Sequence, residues 1–186
     1  MTSLQTLWMP ILLAGVVVFF ASSIIHMLLP WHKSDFAAVP NEDEVSDALR
    51  PFAIPPGDYL LPRPATSAAL KSPGYAERVR RGPNIVMTVL PNEPWSMGRN
   101  LGLWFVYCLI VSLFAALAAA IAYPAGADPH AIFHMTCLVA FIGYAMALWQ
   151  MTIWYNRAWS TTIKSTVDAI IYAAITGGIF LWLWPV

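Results

Sequence analysis

Four stretches of the chain, at residues 7–29, 100–123, 131–155 and 164–184, are almost unbroken apolar sequence, and polar residues gather in the intervals between them. Each stretch is long enough for a bilayer-crossing helix, which takes about 20 residues. The alternating strands of a membrane barrel, about ten residues each, are absent. Irregular backbone facing lipid would leave its polar groups unpaired, so helices are the expected spans. The predicted fold class is an all-α membrane protein with four transmembrane helices. Its expected divisions are residues 1–29 for helix 1, 30–99 for a loop subdomain and 100–186 for helices 2–4. No Lys or Arg precedes the first span, and no small-x-small cleavage site follows it, so it reads as a retained helix rather than a signal peptide.

The long interval carries local order of its own. Asn41 stands as an N-cap with Glu44 three residues on, and Val45, Ala48 and Leu49 make one apolar stripe before Pro51. Ser72 as cap, Pro73 at the first helical position and Gly82 past the end mark a second short helix. "NIVMTVL", 84–90, is β-branched and bounded by prolines, and "DYLL", 58–61, is the obvious strand to pair with it. Two strands alone are marginal in water. The subdomain is therefore expected to lean on the membrane face, on a partner or on another copy.

Composition sharpens this picture. The chain is 59% hydrophobic and 11% charged, where a soluble domain carries about 25% charged residues. All ten Lys and Arg fall in the first and third intervals or at their margins, and "YPAGADPH" has none. Lys33, Arg99, Arg157 and Lys164 adjoin the spans, so the positive-inside rule places residues 30–99 in the cytoplasm and both termini outside. The expected location is a bacterial inner (plasma) membrane. The long interval balances eight basic against eight acidic residues, so no basic field favours nucleic acid. Arg78, Arg80 and Arg81 are expected near lipid headgroups. Cys108 and Cys137 fall toward opposite ends of their spans and read as free thiols.

Polar groups placed within spans are costly and tend to face a bundle interior or a cavity. His26, Arg99, Asn100, Gln150, Asn156, Arg157, Lys164 and Asp168 map to the same, loop-side half. Lys164 and Asp168 are four apart and share a helix face. Asp168 is expected to be ionised and paired with Lys164 or Arg157. The cluster reads either as a pairing network that fixes helix register or as a pocket for an anionic lipid headgroup, a quinone or a small solute. His32 and Lys33 follow Trp31 and are expected to face water and lipid phosphate. Trp104, Trp154, Tyr155 and Trp159 join Trp31 in an inner aromatic belt, with Trp8, Trp182 and Trp184 in an outer one.

At the other end, Asp128, His130 and His134 form a thinkable metal half-site, although Asp128 as N-cap and Pro129 in the first turn explain the same residues. Topology separates them from His26 and His32, which argues against a haem clamped by His26 and His134. Small residues recur four apart at Ala115/Ala119, Ala118/Ala122, Gly143/Ala147, Ala173/Gly177 and Ala174/Gly178, where backbones can approach closely.

No Walker loop, GxSxG or dinucleotide fingerprint is present. The leading expectation is a non-catalytic accessory, assembly or structural subunit of a membrane complex, with no cofactor. Its partners would be membrane lipid and other membrane-protein subunits, or further copies of itself. The alternatives are an oligomeric small transporter or channel, and a lipid- or quinone-binding enzyme at the cytoplasmic leaflet.

Overall fold

The structure, a computed structural model, describes residues 2–94 and 96–186. In chain order the elements are α1 (Leu4–Leu28), α2 (Glu42–Leu49), β1 (Gly57–Leu61), α3 (Ser67–Leu70), α4 (Pro73–Arg81), β2 (Ile85–Val89), α5 (Met97–Ala122), α6 (Pro129–Tyr155) and α7 (Trp159–Leu183). Of these, α1, α5, α6 and α7 are long and apolar enough to cross a membrane. The chain divides into two compact units: residues up to Phe36 together with Ser96–Val186, and a second unit that begins at Ala37. Residues 30–36, expected with the loop, thus pack with the helices instead.

In the first unit, α6 lies along α7, while α1 packs on both α5 and α7. Two apolar clusters fill the bundle, one around Val18, Cys108, Ala140 and Ala169, the other around Leu7, Ala119, Ile132 and Phe180. Small residues set the approach. A Cβ on Gly177 would overlap Cys137 Sγ and stand 3.0 Å from the Phe133 carbonyl, whereas Gly178 faces open space. Ala115, Ala119 and Ala173 are likewise buried, while Ala122, Ala147 and Ala174 are exposed. Only some of the small-xxx-small pairs are therefore used inside this bundle. Both cysteines are free.

The start of α7 at Trp159 precedes the expected one because Thr161 and Thr162 pack inside the bundle. Thr162 shares a hydroxyl hydrogen bond with Thr152 of α6. Two belt tryptophans also turn inward: Trp184 donates to the Pro124 carbonyl at 3.1 Å, and Trp104 bonds within the bundle. Trp8, Trp154, Trp159 and Trp182 stay exposed.

In the second unit, β1 and β2 pair antiparallel from Gly57↔Val89 to Leu61↔Ile85. Ser72 Oγ accepts from the Tyr75 N–H at 3.2 Å, Pro73 opens α4, and Gly82 closes it with φ +58°. Asn41 departs from expectation. It sits in the left-handed region and makes no side-chain cap bond; its amide donates to the Glu44 carboxylate at 3.3 Å. None of the described residues of this unit is buried, and Val39, Leu49, Phe52, Leu60, Val86 and Leu90 are all exposed.

Candidate functional site

Helix α1 does not end cleanly. Over Ile24–Leu28 it widens into a π turn that carries His26, and Leu29 is extended. Pro30, which has no N–H to continue the ladder, then opens a 3-10 turn to His32. The Lys33 N–H donates to Pro30 O at 3.2 Å and the Asp35 N–H to His32 O at 3.1 Å, curling the chain. That curl brings His32, Ser34 and Asp35 against α7 instead of leaving them at the bundle's rim.

There they form one connected network. His32 Nδ1 lies 2.6 Å from Asp35 Oδ2, and its Nε2 lies 2.7 Å from Asp168 Oδ2. Lys164 Nζ donates to Asp35 Oδ1 at 3.0 Å and to Ser34 Oγ at 2.8 Å. Ionised carboxylates only accept, so these two bonds need a proton on each ring nitrogen, and His32 is assigned as imidazolium. Two anions then face two cations. The balance matters because Asp168 is only 3% exposed, and a buried charge is tolerated when it is paired and hydrogen-bonded. Burial by itself pushes the Asp35 carboxyl up, but hydrogen bonds from His32 and Lys164 outweigh it and hold it below the ordinary carboxylate value.

His26 adds a second ring. It stacks on His32 with centroids 4.1 Å apart and planes 23° from parallel, and its Nε2 is 4.0 Å from Asp168 Oδ2. One potential ligand atom from each of His26, His32 and Asp168 falls within 4.8 Å of the others. The arrangement can hold a proton between two carboxylates, and it presents the donor set of a divalent-metal site.

Asp168 lines two cavities. One, of about 490 Å³, is bordered by Ile25, Trp31, Ser34 and Lys164. The other, of about 420 Å³, is walled by His26, Trp104, Tyr107, Tyr144 and Tyr172. Trp104 is aimed by its indole N–H, which donates to Ser22 Oγ at 2.7 Å. Tyr107 donates at 2.6 Å to the carbonyl of Gly143, inside a second π turn over Ile142–Met146 of α6. π turns within helices recur at functional sites, and here His26 and Tyr144 project from one each. The hydroxyls of Tyr144 and Tyr172 are buried with no partner among the described residues, a cost of about 1–3 kcal/mol for each such group.

Of the residues singled out in the sequence, the structure brings His26, Lys164 and Asp168 together. Asp168 is paired with histidine rather than with Lys164 or Arg157, because Lys164 reaches Asp35. Arg157 is exposed and lies 5.9 Å from the centroid of the Phe36 ring. Asn156 caps α6 in the left-handed conformation, and Gln150, Arg99 and Asn100 are exposed outside the network. Asp128 accepts from the His130 N–H at 3.2 Å as the α6 N-cap, and His130 and His134 are exposed. The structure does not gather those three as ligands; among the described residues the converging trio is His26, His32 and Asp168. His32 and Asp35 were hidden by their place after Pro30, and no periodic signal marks them. The tyrosines had one: a hydroxyl-bearing ring within an apolar span, beside Gly143 or Ala173.

No family model, curated protein or solved structure matches the chain.

Proposed function

We propose that the protein is a non-catalytic subunit of a larger assembly in a bacterial inner membrane, with residues 37–94 forming its contact with another membrane-protein subunit. One observation carries this reading. The second unit has helices and a hairpin in register, yet none of its described residues is buried. Ordering a residue's backbone costs about 1–2 kcal/mol, and burial of apolar surface is what offsets it. Leu60, Val86 and Leu90 leave that surface open, so a partner completes the core. Lys33, Arg99, Arg157 and Lys164 beside the spans support a cytoplasmic location for this face, with the termini outside.

Purification of the full chain from its own membranes in mild detergent tests this. A stoichiometric protein partner is expected, together with slow amide exchange across β1 and β2 that becomes fast when the partner is stripped away. A lone monomer whose residues 37–94 resist exchange and protease would overturn the reading. A homo-oligomer would move the contact to a second copy.

A further inference from the structure

Beyond that reading, and independent of it, we propose that His26, His32 and Asp168 form a binding site for a divalent transition metal of the zinc or cobalt kind, with Asp35 orienting His32. Imidazole nitrogens with one carboxylate are a donor set suited to such ions. Three protein ligands with one position left open is the pattern of a reactive rather than a purely structural zinc centre. The distances support it. Two ligands of a tetrahedral zinc, at bonds of about 2.0–2.1 Å, stand roughly 3.3 Å apart. Asp168 Oδ2 is 2.7 Å from His32 Nε2 and 4.0 Å from His26 Nε2, so one separation opens and the other closes by a similar small amount.

The exchange is simple. His32 Nε2 gives up its proton to solvent and its lone pair takes the metal, while Nδ1 keeps its N–H toward Asp35. A carboxylate on the far nitrogen of a ligating histidine is the common supporting arrangement in metal sites, fixing the tautomer and the ring. Lys164, 3.0 Å from Asp35, holds that carboxylate in turn. His26 must tilt out of its stack on His32, and it has the freedom: its side chain is 47% exposed and it rides on a π turn. The fourth position opens to the cavity where the Tyr144 and Tyr172 hydroxyls lie unpartnered. Those hydroxyls are placed to hydrogen-bond a molecule held there.

The test uses the full chain in detergent, without an affinity tag and stripped by a chelator, titrated with Co²⁺ and then with Zn²⁺. A visible d–d absorption saturating at a single equivalent of Co²⁺ and displaced by Zn²⁺ is expected. His26→Ala, which alters a half-exposed side chain and leaves the His32 bonds in place, should abolish that absorption. Asp35→Asn should keep it but weaken affinity by about 10–100-fold. His130→Ala/His134→Ala should leave the titration unchanged. Wild-type protein that takes up no Co²⁺, a His26→Ala protein that binds as the wild type does, or loss of binding in the His130/His134 variant would each overturn the proposal.

Discussion

His32 and Asp168, separated by 136 positions, meet at 2.7 Å between Nε2 and Oδ2. The bond joins the turn after α1 to the third turn of α7, and both side chains are at least nine-tenths buried. Neither group can lose the other without leaving a charge stranded in the bundle.

Removing one partner of a buried pair costs about 3–5 kcal/mol. Asp168→Asn should destabilise the purified protein by that order in denaturant or thermal unfolding in detergent. His32→Gln in the same background should recover part of the loss, with an interaction energy above about 0.5 kcal/mol. Asp168 and Arg157 should behave additively. Strong coupling to Arg157 with none to His32 would reverse the assignment.

Gly177 and Gly178 are neighbours with opposite expectations. A Cβ at 177 meets Cys137 Sγ and the Phe133 carbonyl, while one at 178 meets nothing within 4 Å. Gly177→Ala should cost about 1–3 kcal/mol through overpacking. Gly178→Ala should be neutral or gain up to about 1 kcal/mol of helix propensity. Equal unfolding midpoints for the two variants would contradict the packing of α6 on α7.

Ser22 and Ser23 offer a similar contrast on α1. Both hydroxyls donate to the Phe19 carbonyl at 2.8 Å, but Ser22 Oγ also accepts from Trp104 at 2.7 Å. Ser22→Ala should strand the half-buried indole N–H and cost about 1–3 kcal/mol, with Ser23→Ala costing well under that. Unfolding in detergent resolves the difference, and matching losses would mean that the indole bond contributes nothing.

The proposed orientation has a direct check in intact cells. Ala125→Cys, on the short connection between α5 and α6, should react with an impermeant thiol reagent added outside. Ala65→Cys, in the second unit, should react only after the membrane is opened. The reverse labelling pattern would place residues 37–94 outside and remove the cytoplasmic reading of that unit.

Four apolar runs announced α1, α5, α6 and α7, and the Ser72–Pro73–Gly82 punctuation announced α4, because these signals act within a turn or two of sequence. The hairpin was legible as well, since few β-branched segments competed for the pairing. Asn41 was not, because a residue that favours an N-cap also tolerates the left-handed backbone. Half of the site was visible as polar residues in one end of the spans. The other half depends on the curl after Pro30. Whether His32 faces lipid phosphate or Asp168 is decided by how a seven-residue tail, residues 30–36, packs on α7. Patterning carries no information on that choice, and the pairing assigned to Lys164 failed for the same reason: Asp35, its actual partner, lay outside the span.

The π turn over Ile24–Leu28 carries a consequence of phase. Each residue of a regular α-helix advances the chain by about 100°, and a π turn absorbs one residue more than a regular turn. Deleting a single residue there would restore an unbroken helix with every backbone bond intact. It would also rotate all that follows by about that angle, swinging Pro30 and the His32 curl away from α7. The helix would survive the deletion and the site would not, so the count of residues between Ser23 and His32 is constrained more tightly than their identities.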